Sequence, residues 1–424
     1  MNILDNEQDF YALGLDTLPD GWKYSPLGEL VDSERGISYG IVQPGSHLTE
    51  GVPIVRVNNL QNGQIISNDI LKVSSDIEKK YQRTRLRGGE VVLSLVGSLG
   101  QTAVVPSEVS GWNVARAIAV IPVIPEISPE WVNFALRSPL LQHYIHTWAT
   151  TTVQATLNLG DVVRLPIPIP PEKERKAIID ILGSLDDKIE VNRRMNATLE
   201  SMARAVFRQW FVENPDAAKW NLSKIGELAV LDKGVSYKGD FLTDEGMPMI
   251  NLGCFLGKGK FEIEKLKIYS GEYKERHTVR PGDIVLANTD ITQKREVIGS
   301  PAIVPDYPAK EYLFTHHVYA MRVTDGSPVL RNYLYFALLQ EEFRERAEGF
   351  ATGTTVLALP RDAVLDYEIS RPPEDLLNKF YEQVEPMLRK VQSNIKESRT
   401  LASLRDSLLP KLMRGEVRVK DVNN

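Results

Sequence analysis

PPEKERKAIIDILGSLDDKIEVNRRMNATLESMARAVFRQWFVE, residues Pro170 to Glu213, is the stretch that decides the fold. Two prolines open it, and after them only Gly183 breaks the run of helix-compatible residues. Ile178, Leu182, Leu185, Ile189, Asn192, Asn196, Leu199, Ala203, Val206 and Trp210 follow at alternating intervals of four and three. A seam with that spacing, held over more than four heptads, predicts one long helix that pairs with another helix. The partner lies near the other end of the chain, in RPPEDLLNKFYEQVEPMLRKVQSNIKESRTLASLRDSLLPKLMRGEV from Arg371 to Val417. Shifting the first seam by 202 residues lands on Phe380, Val384, Met387, Val391, Asn394, Ser398, Leu401, Arg405, Leu408 and Leu412. The polar break recurs too, Asn192 and Asn196 against Asn394 and Ser398. Leu409-Pro410 is expected to end or kink the second helix, leaving the C-terminal residues to pack against those before Trp22.

The segments outside the helices also come in two copies. WKYSPLGELVDSERGISYG (Trp22 to Gly40) is echoed by WNLSKIGELAVLDKGVSYKG (Trp220 to Gly239), and GVPIVRVNNL (Gly51 to Leu60) by GMPMINLGCF (Gly246 to Phe255). RGGEVVLSLVGSLGQTAVVP (Arg87 to Pro106) parallels RPGDIVLANTDITQKREVIGSPAIVP (Arg280 to Pro305), each a Gly-acid turn, a β-branched strand, a polar loop and a second strand. NVARAIAVIPVI (Asn113 to Ile124) matches THHVYAMRVT (Thr315 to Thr324); a short helix and a Thr-rich loop then lead into each long helix. The expected fold is mixed α/β (α+β): two tandem strand-rich globules and two long helices pairing as an antiparallel coiled coil, with a pseudo-two-fold internal repeat. The expected boundaries are a leader at 1–21, a first globule at 22–171, a central helix at 172–215, a second globule at 216–373, and a C-terminal helix with tail at 374–424. Forty helical residues give a rod of roughly 60 Å. The mid-seam polar residues are expected to meet near its centre, where buried Asn fixes register.

Composition narrows the function. The 424 residues carry a formal charge of −6, one cysteine and six histidines, and no apolar run of membrane-spanning length. The N-terminal residues lack the features of a signal peptide, and Cys254 cannot form an internal disulfide, so a cytoplasmic protein without membrane contact is expected. Mild acidity argues against gripping nucleic acid by bulk charge and calls for local basic patches. No P-loop, dinucleotide fingerprint or nucleophile elbow is present. His316-His317 is the only histidine pair; read as neighbours in a strand, they point to opposite faces and do not chelate one ion, so no metal site is expected. A non-catalytic chain is the better reading.

Binding residues are more plentiful. Lys79, Lys80, Arg83, Arg85 and Arg87 precede the Gly-Glu turn of the first copy, and Lys274, Arg276 and Arg280 precede the Gly-Asp turn of the second. These cations suit DNA phosphates, and replacing Arg83, Arg85 and Arg87 together is expected to weaken binding evenly on all sequences. Base edges call for donor and acceptor side chains on loops. In the first globule the candidates are Ser38, Tyr39, Asn58, Asn59, Ser98, Gln101 and Arg116. In the second they are Ser236, Tyr237, Asn251, Asn288, Thr289, Gln293, Lys294 and Arg295.

The paired Trp-x4-Leu/Ile-Gly-Glu-Leu starts, the Pro-Pro-Glu entries at Pro170-Pro171-Glu172 and Pro372-Pro373-Glu374, and the two equivalent helices form an ordered set. As a set, nearly the whole chain resembles the specificity subunit of a type I restriction-modification system. The resemblance implies that the globules are target recognition domains, each reading half of a bipartite site in double-stranded DNA. It further implies that the helices set the spacing and dock two methyltransferase subunits, and that two motor-endonuclease subunits join for restriction in a prokaryotic cytoplasm. S-adenosylmethionine, ATP and Mg would then belong to the partners, with no cofactor on this chain. A structural adaptor, with coiled-coil assembly and no sequence-specific DNA binding, is the competing reading. An enzyme is disfavoured because no Asn/Asp-Pro-Pro-aromatic tetrapeptide occurs.

Overall fold

A computed structural model describes residues 18–61, 63–67, 69–151, 155–291 and 295–419. The chain forms two compact units, one of Met1–Lys188 with Thr400–Asn424 and one of Ile189–Arg399, so each long helix contributes to both. The first long helix spans Glu172–Phe207 and continues as a π-turn over Arg208–Val212. The second spans Glu374–Met413.

In the first unit, Lys23–Pro26 pairs antiparallel with Pro166–Ile169, so the globule's end returns to its beginning just before the helix starts. Between them lies an antiparallel sheet in the order Ser38–Tyr39, Ile118–Ile121, Val91–Ser94, Thr102–Val104. Its two central strands are buried along their whole length, which their β-branched runs anticipate. A smaller sheet places Val52–Val55 between antiparallel Leu71–Val73 and parallel Asn113–Val114. Trp22, Trp131, Ile178, Leu182, Leu409, Leu412 and Met413 share one core, so the globule packs directly on both long helices. Trp131 Nε1 donates to the Pro168 carbonyl at 2.8 Å, and Trp22 Nε1 donates to Glu174 Oε2 at 3.1 Å.

The second unit repeats the plan. Leu222–Lys224 pairs with Glu368–Ser370, and the main sheet runs Ala229–Lys233, Val318–Val323, Ile284–Ala287, Pro301–Ile303. Its second sheet again holds one parallel pair, Leu242–Ile250 beside Tyr312–Phe314. The core against the helices is aromatic: Phe207, Phe211, Tyr333, Phe336 and Phe380 pack with centroid separations of 5.0 to 5.9 Å.

The helices run antiparallel within each unit. In the first, Asp186 receives Arg405 Nη1 at 2.6 Å and Arg418 Nε meets Glu174 Oε1 at 2.6 Å. In the second, Asn192 Nδ2 donates to Glu397 Oε2 at 2.9 Å and Ser398 Oγ at 3.2 Å, and Asn394 Nδ2 donates to Asn196 Oδ1 at 2.8 Å. All four mid-seam polar residues therefore meet, with Asn192 and Asn394 fully buried. Ile178, Leu182, Val384 and Val391 are buried, while Leu185, Ile189, Leu199, Met387 and Leu401 are partly so.

Two expectations about the helices need correction. Pro410 does not end the second helix, which runs on to Met413, and exposed Pro386 also sits inside it. Each proline lies on a face that water reaches, so the carbonyl freed four residues earlier can be hydrated. At the end of the first helix, Phe207 and Phe211 are buried in place of Val206 and Trp210. Phe207 and Phe211 continue from buried Ala203 at intervals of four, which carries the buried face off the alternating heptad spacing and towards their globule. Of the residues before Trp22, Leu18 borders the same core as Val419, and Arg418 pairs with Glu174 on the first long helix; residues 1–17 of the expected leader lie outside the described residues.

Asp186 also receives Arg137 Nη1 at 2.6 Å, so one largely buried carboxylate holds two largely buried guanidinium groups. Asp186→Ala is expected to cost roughly 3–5 kcal/mol by stranding both cations, measured as a fall in denaturation midpoint of the intact chain. The Oδ1 atoms of Asn192 and Asn394 are buried without a partner among the described residues. Replacing both asparagines with Leu should raise the melting temperature while weakening the preference for a single register. A lower melting temperature would show instead that the amide bonds outweigh the desolvation they entail.

Candidate nucleic-acid interface

In the first unit, Ser94 lies opposite Ile118, Leu95 N–H donates to the Ala117 carbonyl, and Gly40 N–H donates to the Ile118 carbonyl. The chain leaving Tyr39, the chain leaving Ser94 and the turn containing Arg116 therefore converge at one sheet edge. In the second unit, Ala287 lies opposite Val318, Asn288 N–H donates to the His317 carbonyl, and His316 N–H donates to the Val235 carbonyl. Ser236, Tyr237, Asn288, Thr289, His316 and His317 gather there in the same way. Matching bonds, Arg116 N–H to Ile41 and His316 N–H to Val235, place Arg116 and His316 at equivalent positions.

The glycines before these edges are required by steric contact. A Cβ on Gly40 would lie 2.0 Å from the Val114 carbonyl oxygen, and one on Gly234 would lie 2.0 Å from that of Phe314. Only glycine lets the first strand of each sheet press against that backbone and release its following loop at the edge.

Several base-reading candidates are exposed or partly so: Ser38, Tyr39, Asn58, Ser98, Gln101 and Arg116 in the first unit, and Ser236, Tyr237 and Arg295 in the second. Tyr237 is held by Lys267, whose Nζ lies 2.8 Å from the phenol oxygen and 4.9 Å from the ring centroid. Arg295 sits at φ 54° and donates to the Glu348 carbonyl at 3.0 Å. Gln293 and Lys294 lie outside the described residues.

Four candidates serve the fold instead. Asn59 accepts from Arg56 N–H and donates to the Ile66 carbonyl, and Asn251 accepts from Gly253 N–H and donates to the Lys265 carbonyl. Asn288 and Thr289 bond to each other and to the 316–317 turn. All four are buried, because polar side chains beside strand ends satisfy nearby backbone before they can reach solvent.

The basic runs divide similarly. Lys79, Lys80, Arg83 and Arg87 are exposed, as are Lys274, Arg276 and Arg280. Arg85 forks onto the buried Glu78, with Nε 2.7 Å from Oε1, and Arg83 donates to the Arg35 carbonyl. The Arg85 guanidinium holds the Glu78 carboxyl below its usual range against the opposing push of burial. Arg83 and Arg85 thus tie down the segment beside Ser38–Tyr39. Lys79, Lys80 and Arg87 extend into solvent, with only Lys79 loosely paired, to Asp76 at 3.4 Å.

The expected splaying of His316 and His317 is wrong. They occupy a turn before Val318, not a strand, and their ring centroids are 3.9 Å apart. Partial burial is the main force holding His317 below the usual imidazole range, assisted by the positive surroundings of His316, Lys233 and Lys267. Sequence reasoning missed this pair as part of the edge. The available signal was its alignment with Arg116-Ala117, in which Arg116 is a candidate. Among the described residues no cluster of three or more potential metal ligands occurs, and the buried Cys254 thiol is pushed up to about 12. No helix among them is long and apolar enough to cross a membrane.

Comparison with known proteins accords with this geometry. The model of the type I restriction modification DNA specificity domain matches residues 19–201. The Escherichia coli EcoBI specificity subunit is 30% identical over 213 residues, covering 47% of this chain and 45% of that one, so the chain spans less than half of that relative in the match. The Methanocaldococcus jannaschii MjaIX specificity subunit is 21% identical across 98% of both chains. The crystal structure of the type I restriction-modification S subunit from M. genitalium superposes with a TM-score of 0.54 at 14% identity, covering 94% of this chain and 97% of that one. With the specificity domain model on residues 19–201, the same plan repeated in the second half, and a relative aligned end to end, the chain is similar along its length to type I restriction-modification DNA specificity subunits.

Proposed function

We propose that this chain is the DNA-reading subunit of a type I restriction-modification complex, each globule addressing one half of a bipartite site. The observation that carries this reading is the repeated edge. The same strands, the same steric glycine and the same converging loops occur twice, and each edge presents different side chains. A scaffold kept constant beneath unlike surfaces suits two unlike half-sites. The paired helices set the unread gap and provide the surface on which two methyltransferase subunits dock; two motor-endonuclease subunits complete the assembly. Methyl transfer and cleavage, with S-adenosylmethionine, ATP and Mg, are assigned to those partners, and this chain performs no catalysis.

Phosphate contact falls to the exposed cations. Replacing Lys79, Lys80 and Arg87 together with Ala should weaken binding evenly across sequences and reduce the slope of log K against log salt by roughly 2–3. Binding titrations at several salt concentrations measure both. Arg83→Ala with Arg85→Ala should behave differently, lowering stability by releasing the segment beside Ser38–Tyr39. A changed recognition sequence from the first triple variant would assign those residues to base reading instead.

The reading as a whole is tested by mapping methylated adenines in DNA from cells expressing this chain with its methyltransferase. Two unlike half-sites around an unread gap are expected. A single continuous motif, or none, would favour an adaptor whose helices serve assembly alone.

A further inference from the structure

The recognition reading leaves one residue of the second edge unassigned, and its hydrogen-bond chemistry can be followed atom by atom. The His316 carbonyl only accepts, and Asn288 Nδ2 donates to it at 3.1 Å. The amide orientation is thereby fixed, with Asn288 Oδ1 facing Thr289 Oγ1 at 2.8 Å. Oδ1 has no proton to give, so the single hydroxyl proton of Thr289 points to it. Towards His317 Nδ1, also 2.8 Å away, Thr289 Oγ1 must then accept, and Nδ1 must carry the ring proton. A neutral imidazole so protonated offers Nε2 as an acceptor. Nε2 of His317 has no partner among the described residues, and the ring is partly exposed at the edge where Tyr237 and Ser236 emerge. Asn288 and Thr289, buried beneath it, shield the relay from exchange with water. The burial and positive surroundings that depress the His317 imidazole favour the neutral ring this requires.

Resting on the proposal that the second globule reads DNA, we infer that His317 reads a base, its Nε2 accepting a hydrogen bond from an exocyclic amino group. Adenine N6 and cytosine N4 offer such a donor in the major groove, and guanine N2 does so in the minor groove. Asn288 and Thr289 are positioning residues that select the tautomer without touching DNA. The first globule carries Ala117 at the position equivalent to His317 and Arg116, which offers only donors, at the position equivalent to its neighbour His316.

The test uses the full-length chain assembled with its methyltransferase subunits and duplexes carrying its own split motif. Each base of the motif is replaced in turn by the analogue lacking only the amino group: purine for adenine, pyrimidin-2-one for cytosine, hypoxanthine for guanine. At one position in one half-site, the replacement should weaken binding by the parent chain on the order of tenfold. His317→Phe should lose that discrimination and keep the other half-site. Thr289→Val should lose it too, whereas Thr289→Ser, which preserves the relay, should retain it. Binding to motif-free DNA reports that each variant is folded. If the amino deletions cost the His317→Phe and Thr289→Val chains as much as the parent, the assignment falls while bipartite recognition stands. If the parent shows no split motif, the recognition reading falls and takes this assignment with it.

Discussion

Antiparallel pairing of two helices 202 residues apart in sequence is the constraint on which everything else depends. An apolar heptad seam alone would tolerate sliding by a heptad, because Leu and Val contacts are interchangeable. The polar interruption is not. Asn192 reaches Ser398 and Glu397, and Asn394 reaches Asn196, in one alignment only; a shift of seven residues would set buried Asn192 against Val391 or Arg405 and buried Asn394 against Ile189 or Ala203. Asp186 does the same in the first unit with charge, bound by Arg405 across the helix pair and by Arg137 from the globule. The unsatisfied Oδ1 atoms of the two asparagines are the cost of that specification.

Because each globule shares its core with both helices, the register also fixes how its sheet is seated within the unit. From there the chain separates what must be constant from what can differ. Gly40 and Gly234 bring the first strand of each sheet against the neighbouring backbone. Glu90 caps the turn before its strand by accepting from Arg87 and Gly88 N–H, and Asp283 accepts from Arg280 N–H at the corresponding place. These acids are then neutralised by arginines from unrelated positions, Arg35 from a loop in one unit and Arg322 from a strand in the other. What is preserved is the need to pair a half-buried or buried carboxylate, not the residue that meets it.

The heptads and the duplicated segments were legible because both are periodic: each residue's role follows from its spacing, and the second copy checks the first. The site was legible only in outline. Loop membership identified Tyr39, Arg116 and Tyr237 correctly as surface groups, but an asparagine on a loop looks the same whether it faces water or caps its own backbone. Asn59 and Asn251 are of the second kind, for reasons set by the Ile66 and Lys265 carbonyls, which approach from well along the chain. Arg85 was likewise read as free because its partner Glu78, seven residues earlier, becomes a partner only after a helical turn intervenes. The His316-His317 pair was misread because a strand was assumed where the chain turns, and side-chain direction follows backbone conformation.

The two edges differ in kind as well as in residue identity. At the position shared by Arg116 and His316, the first globule places a permanent cation with five donors, able to attract phosphate and to address acceptors on a base. The second places the His316-His317 pair, ring centroids 3.9 Å apart, where burial, and then His316, Lys233 and Lys267, disfavour protonation of His317. On the reading proposed above, electrostatic attraction there falls to the surrounding lysines, and His317 reads by hydrogen bonding alone. In a chain of net charge −6, such economy matters. On that proposal the exposed cations meet phosphates while His317 discriminates a base without charge, so affinity and specificity are set by different residues on the same scaffold.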